Sequence, residues 1–310
     1  MKKCLLIGGA GFIGTNLSLC LADAGYEVTV CDFVPQETVP AALDGLKYVR
    51  MNYFEQDIED SLLRQQDVVV LLISSVSPNS SMANPEICYG KDVVRLTQLL
   101  EQMRRCGVGR LVFVSSGGTV YGNQDALCLR EDMATYPINH YGIMKLTQEK
   151  ILFMYNELYR MDNLVFRLAN PYGAGQKKAS GVGAVTAFLR SIMDGEKIYL
   201  YGQGESVRDY IHVKDAVNMM RLCMEKGKAE NTKALYNVGT GQGHSIMEVL
   251  KMAEMVTGKT ADVVFLEKRQ FDVARNVLDI TKIRSLIGDY ACMDLGAGMK
   301  KYYDELEGAV

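Results

Sequence analysis

The feature that most constrains this chain lies near its start. A short apolar run, Lys3 to Ile7, leads straight into Gly8-Gly9-Ala10-Gly11-Phe12-Ile13-Gly14, and apolar residues then recur at helical spacing from Phe12 to Ala24 until Gly25 stops them. Strand, glycine turn and helix in direct succession set the free N–H groups of a helix N-terminus at the end of a strand, where they can hold a pyrophosphate. Gly8, Gly11 and Gly14 fall in a G-x-x-G-x-x-G pattern, which differs from the G-x-G-x-x-G of other dinucleotide folds. The same glycines could also serve a purely structural turn. A second β-rich run, Glu27 to Asp32, ends on a carboxylate that can accept hydrogen bonds from adenosine ribose hydroxyls. Its charge would repel a 2′-phosphate, which favours NAD over NADP; capping a local turn is its other reading. Asp57 and Ile58 are placed to frame an adenine, although an Asp-Ile pair also opens ordinary helices.

The alternation continues. Tyr48 to Met51, Val68 to Ile73, Arg110 to Ser115 and Leu164 to Arg167 read as strands, and 85–106 and about 139–160 as helices. Continuously apolar strands separated by helices predict an α/β fold, a Rossmann-type doubly wound parallel sheet over residues 1–170. After Pro171 the rhythm changes. Gly173, Gly175, Gly181 and Gly183 mark a loop before a helix at 184–194, a strand at 198–201, the Arg208–His212 segment, helices near 215–225 and 246–256, and a strand at Tyr236-Asn237-Val238. Residues 171–310 therefore read as a smaller α/β substrate-binding region, with some segments returning to the main sheet.

Composition limits the partners. With 310 residues, 48% of them hydrophobic, a large core can form, and a net charge of −3 with both signs interspersed gives no surface for nucleic acid or anionic lipid. Val68 to Ile73 is too short to cross a bilayer, and the glycines after Ile7 break the apolar run that follows Met1-Lys2-Lys3, so this start reads as a strand and not a secretory leader. The eight cysteines form no C-x-x-C pair, as expected of reduced thiols in a cytoplasmic protein. His140, His212 and His244 lack companions at metal-ligand spacing, so no metal site is expected.

Tyr141-Gly142-Ile143-Met144-Lys145 puts a phenol and an ammonium on one helical face. They follow Val114-Ser115-Ser116-Gly117-Gly118-Thr119-Val120-Tyr121-Gly122, at the carboxyl edge of the sheet where ligands bind. A phenol near pKa 10 is a poor base at neutral pH, but a neighbouring ammonium and a positive nicotinamide ring both favour its phenolate. Tyr141 can then take a hydroxyl proton while hydride leaves the same carbon for a cofactor.

In this order the motifs resemble the extended short-chain dehydrogenase/reductase family, most closely its NAD-dependent sugar-nucleotide epimerases and dehydratases. Phe166 to Gly173, Arg208 to Asp215 and Tyr236 to Gly239 resemble that family's signatures in the substrate half. The resemblance implies a cofactor set of Gly8, Gly11, Phe12, Ile13, Gly14, Asp32, Asp57, Ile58, Ser74, Ser115, Tyr141 and Lys145, with Lys145 also holding the nicotinamide ribose. On the substrate side it implies Thr119, Asn170, Arg208 and Arg269, the arginines meeting the pyrophosphate of a nucleotide sugar, expected to be UDP-linked. It also implies a homodimer formed through the 85–106 and 139–160 helices.

Three departures stand out. The usual catalytic hydroxyl is the third serine of S-S-S-A-T-V-Y-G, and Gly117 occupies that place, leaving Thr119, then Ser116, as substitutes. After the fourth strand the family's H-L-A-A is replaced by a stretch ending Ser74-Ser75, and an asparagine common in the next helix is Asp92. Dehydratases carry D-E within T-D-E-V-Y-G, where this chain has Gly118 and Thr119. That favours a 4-epimerase working through a 4-keto sugar. A dehydratase or 4-reductase of the same family is the alternative within enzymes, and a catalytically weakened NAD-binding sensor or scaffold the alternative outside them.

Overall fold

The computed structural model describes residues 1–177, 183–227, 234–268 and 273–308. Its centre is a seven-stranded sheet, formed by β1 (Lys3–Ile7), β2 (Glu27–Asp32), β3 (Lys47–Arg50), β4 (Val68–Leu71), β5 (Leu111–Ser116), β6 (Leu164–Leu168) and a late strand, Leu235–Val238. Across the sheet they run Leu235–Val238, β6, β5, β4, β1, β2, β3, every neighbour parallel. The chain leaves β1 toward β2 and later returns to its other side as β4, so a crevice opens at the carboxyl ends of these strands.

The continuous apolarity of β1 has a simple cause: both faces are covered. Cys4 and Leu6 join the core under helices Phe12–Asp23 and Val213–Lys226, while Leu5 and Ile7 join the core under helices Val94–Cys106 and His140–Tyr159. One of those helices comes from beyond residue 170, as does the strand Leu235–Val238, where Leu235 pairs with Val165. Both halves of the sequence thus build the first core. A third core gathers Tyr172, Phe188, Leu189, Leu250 and Tyr302 between helices Ala184–Asp194, Ile246–Thr257 and Leu295–Glu307.

The remaining strands are short: β7 (Asn170–Tyr172), β8 (Ile198–Tyr201), β9 (Val207–His212), then, after the sheet strand that is β10, β11 (Gly243–Ser245), β12 (Val263–Leu266) and β13 (Arg275–Asn276). β9 pairs with β7, β11 and β13, and β8 with β12. The expected helix at 85–106 is more complex. It opens as a short turn at Pro85–Ile87, widens into a π-helical turn over Cys88–Val93, and only then becomes the regular helix Val94–Cys106. Helical spacing of apolar residues does not distinguish these windings. Among the described residues no helix is long and apolar enough to cross a membrane.

Candidate active site at the carboxyl edge of the sheet

The glycine turn is sterically required where the first helix meets the strand end. Gly8 has φ +82°, and a Cβ on Gly14 would lie 2.3 Å from the Gly8 carbonyl oxygen, so only glycine lets the helix begin against the strand end. Gly11 is the N-cap of helix Phe12–Asp23 and no side chain caps that end, which leaves the positive helix terminus open to a pyrophosphate. Asp32 ends β2 beside it. Its Oδ2 accepts from the Ala10 N–H (3.0 Å) and its Oδ1 from the Phe33 N–H (2.8 Å), so it ties the turn to the strand while keeping lone pairs for a ribose. Asp57 is exposed and pairs with Arg95 (2.9 Å), whereas Ile58 is buried in the second core.

The tyrosine helix is fixed from several sides. Asn139 caps it, its Oδ1 accepting from the Gly142 N–H at 2.7 Å, and the Ser81 hydroxyl accepts from the Tyr141 N–H at 3.2 Å. A Cβ on Gly142 would lie 2.8 Å from the Thr119 carbonyl oxygen, so this glycine brings the helix against the serine-rich segment. One turn on, Lys145 is 3% exposed, donates to the Val114 carbonyl (3.2 Å) and lies 5.6 Å from the centre of the Tyr141 ring. Burial lowers the Lys145 ammonium to about 8, against the pull of Asp92 and Glu149 in the other direction. Burial first, and the Asp92 charge second, push the Tyr141 phenol well above its ordinary value. The free site therefore holds a protonated phenol beside an ammonium.

Tyr141 and Lys145 line a cleft of about 430 Å³ together with Phe12, Ile13, Ser115, Ser116, Thr119, Asn170 and Arg208. Two larger hollows of about 740 Å³ each lie elsewhere, one beside Lys150 and Lys282 and one beside Asn16 and Tyr290. Neither includes the phenol or the hydroxyls of the serine-rich segment. Ser115 is buried and its Oγ donates to Glu149 (2.6 Å), which is itself paired with Arg167 (2.7 Å). The Thr119 Oγ1 is buried without a hydrogen-bond partner, and a group left so is a candidate for a ligand hydroxyl. Ser74, by contrast, points its hydroxyl at Asp92 (2.9 Å). The glycine at 117 has little room beside it: a Cβ there would lie 2.7 Å from Leu278 Cδ1 and 3.1 Å from the Leu168 carbonyl oxygen, so the Leu278 side chain would have to shift.

On the substrate side, β9 presents Arg208 to the cleft while Asp209, next along the strand, points the opposite way. Asp209 is fully buried and accepts from the Thr240 N–H (2.9 Å) and Oγ1 (2.7 Å), the Gly241 N–H (3.1 Å) and the Leu278 N–H (3.3 Å). Asn170, on β7, donates to the Asp209 carbonyl at 2.8 Å. Arg269 lies outside the described residues.

Residues 4–239 match the family described as the NAD dependent epimerase/dehydratase family. The chain belongs to that family. A UDP-glucose 4-epimerase of Mycolicibacterium smegmatis is 30% identical over 96% of both chains. The crystal structure of a Thermotoga maritima UDP-glucose 4-epimerase with UDP-glucose superposes with a TM-score of 0.89, at 28% identity over 99% of each chain. A Thermus thermophilus UDP-glucose 4-epimerase in complex with NAD gives a TM-score of 0.88, also at 28% identity, over 99% of this chain and 100% of the other. For an NAD-dependent epimerase/dehydratase, sequence reading overlooked several supports of the site. Asn139, directly before the helix, carried a legible capping signal. Ser81 and Glu149 did not, and Arg167 and Asp209, though inside signature stretches, gave no sign of their partners, which lie far off in sequence.

Proposed function

We propose that this chain is an NAD-dependent nucleotide-sugar 4-epimerase acting on a UDP-linked sugar. The observation that carries the reading is the shared cleft, where Tyr141, Lys145, Ser116 and Thr119 meet Asn170 and Arg208. Bound NAD supplies the hydride acceptor at C4 and a positive ring that favours the phenolate. Tyr141 takes the 4-hydroxyl proton and returns it after the keto sugar has turned over. Lys145, still largely an ammonium at neutral pH, supports that charge. Thr119, with its unpartnered hydroxyl, and then Ser116, replace the hydroxyl that Gly117 lacks. Arg208 meets the substrate pyrophosphate and Asn170 the sugar–phosphate end. Arg269 is proposed for the same pyrophosphate.

Asp32, Asp57 and Ile58 are assigned to the adenosine half of the cofactor, and Gly8, Gly11, Phe12, Ile13 and Gly14 to its pyrophosphate. Ser74 and Ser115 adjoin the nicotinamide side. A cytoplasmic homodimer fits the reading. The apolar Val94, Ile143, Met154 and Leu158 are exposed on the two helices expected to pair.

The test is incubation with UDP-glucose, UDP-galactose and their N-acetylated forms without added cofactor, products resolved by chromatography. Interconversion at C4 is expected. Consumption of added NADH with net reduction would mark a 4-reductase. The space that Leu278 takes beside Gly117 favours one further reading, an NAD-binding sensor with weakened chemistry. In that case Tyr141→Phe would leave the protein's behaviour unchanged, whereas the enzyme loses turnover and still binds NAD.

A further inference from the structure

The hollow of about 740 Å³ beside Lys150 and Lys282 has no part in the chemistry above. It lies at the β10 edge of the main sheet, between helix His140–Tyr159, helix Thr281–Ile287 and the 130–135 segment. Both signs of charge line it, and they are not equally engaged. Glu131 accepts from the Asn237 N–H (2.8 Å), Asp279 from the Thr281 N–H (2.8 Å), and Asp132 is paired with Arg130 (3.0 Å). Lys282 donates to the Leu235 carbonyl (2.9 Å) and lies 4.8 Å from the centre of the Tyr236 ring. Two cations stand apart. Lys150 is exposed, and its ammonium has no ion pair or hydrogen bond among the described residues. Arg167 is 3% exposed; its Nε and Nη2 serve Glu149, while Nη1 is buried without a hydrogen-bond partner. The Arg167 guanidinium lies over the Tyr121 ring, 4.6 Å from its centre, and the Tyr121 hydroxyl is engaged with Asn237 (2.7 Å).

A buried guanidinium N–H without an acceptor is costly, and the partner that suits it best is an oxygen bearing negative charge. We propose that this hollow is a second ligand site, taking a small oxyanion, a phosphate or a carboxylate, between Arg167 Nη1 and the Lys150 ammonium. The fork of Arg167 can serve Glu149 along one edge and a ligand through its remaining nitrogen. Glu131 is half-buried, and its charge opposes an anion; burial holds its carboxyl above the ordinary range, which lessens that opposition. The hollow shares no lining residue with the cleft that holds Tyr141 and Lys145. The two adjoin all the same. Arg167 is paired with Glu149 (2.7 Å), and Glu149 accepts from the Ser115 hydroxyl (2.6 Å) on the wall of that cleft.

The test titrates the full chain, with excess NAD present, with inorganic phosphate and separately with succinate, against chloride at equal ionic strength, and follows the melting temperature. A saturable rise with at least one of the two anions is expected, and the one that acts assigns the ligand as phosphoryl or carboxylate. Lys150→Gln, at an exposed position, should weaken the binding about tenfold. Arg130→Gln removes an exposed charge already paired with Asp132 and should leave the affinity in place. Glu131→Gln keeps an acceptor for the Asn237 N–H and should tighten the binding several-fold, a gain that damage to the fold would not produce. No saturable rise with either anion overturns the proposal, as does binding that Lys150→Gln leaves intact or that Glu131→Gln fails to tighten. Binding that Arg208→Ala abolishes would place the anion in the cleft and overturn it too. None of these outcomes depends on turnover of a UDP-linked sugar, so the epimerase reading stands or falls by its own test.

Discussion

Single atoms decide what the cleft can do. The methyl groups of Leu278 and the Leu168 carbonyl take the space a side chain at 117 would need. Gly117→Ser should therefore destabilise the fold by about 1–3 kcal/mol through overpacking. In a denaturant-unfolding cycle with Leu278→Ala, the double variant should lose less than the two single losses combined. Lys145 illustrates the opposite strain. Its ammonium falls from an ordinary 10.5 to about 8, chiefly through burial, so the charged form weighs against the fold below pH 8 and that weight is gone above 10.5. Lys145→Met should accordingly raise the melting temperature at pH 7 while abolishing turnover, and its advantage should shrink as pH rises from 8 toward 10.5. An advantage independent of pH would contradict this account. Such a conflict between stability and activity is expected where a buried charge serves chemistry.

At the level of elements, one helix carries most of the site. His140–Tyr159 begins at the Asn139 cap, touches the Thr119 carbonyl through Gly142, and is bolted to β6 by the buried Glu149–Arg167 pair, 1% and 3% exposed. Gly142→Ala forces the helix outward; turnover should drop about 100-fold from the displaced phenol, with a loss of about 1–3 kcal/mol. Glu149→Gln leaves the Arg167 charge buried and uncompensated, and a loss of about 3–5 kcal/mol is expected in urea unfolding. Neither change alters a residue assigned to touch the sugar, so both report on how the helix is held. The tyrosine, the lysine and the helix bearing them were plain in the sequence. The Glu149–Arg167 pair was not, since eighteen residues and a change from helix to strand separate its members.

Across the whole molecule, the cleft joins the parallel sheet to the C-terminal elements: Tyr141 and Lys145 come from the first, Arg208 from β9. A ligand that bridges them should stabilise the chain by mass action. UDP at about 100 times its Kd is expected to add about 2.7 kcal/mol, visible as a higher melting temperature that Arg208→Ala abolishes. The sequence by itself determined that the first six strands alternate with helices in a parallel sheet, and it determined the glycine turn with Asp32 and the Tyr141–Lys145 pair, because each rests on apolar periodicity or on spacing along one turn or helix. Only the tertiary structure decided that β10 closes the main sheet, that the second half supplies helix Val213–Lys226 to the first core, and that β9 gathers β7, β11 and β13. It alone brought Ser74 and Ser75 to Asp92 and Leu278 to Gly117. These contacts depend on which distant segments pack together, and a short strand such as β13, two residues long, acquires its conformation from its partner and carries no periodic pattern of its own.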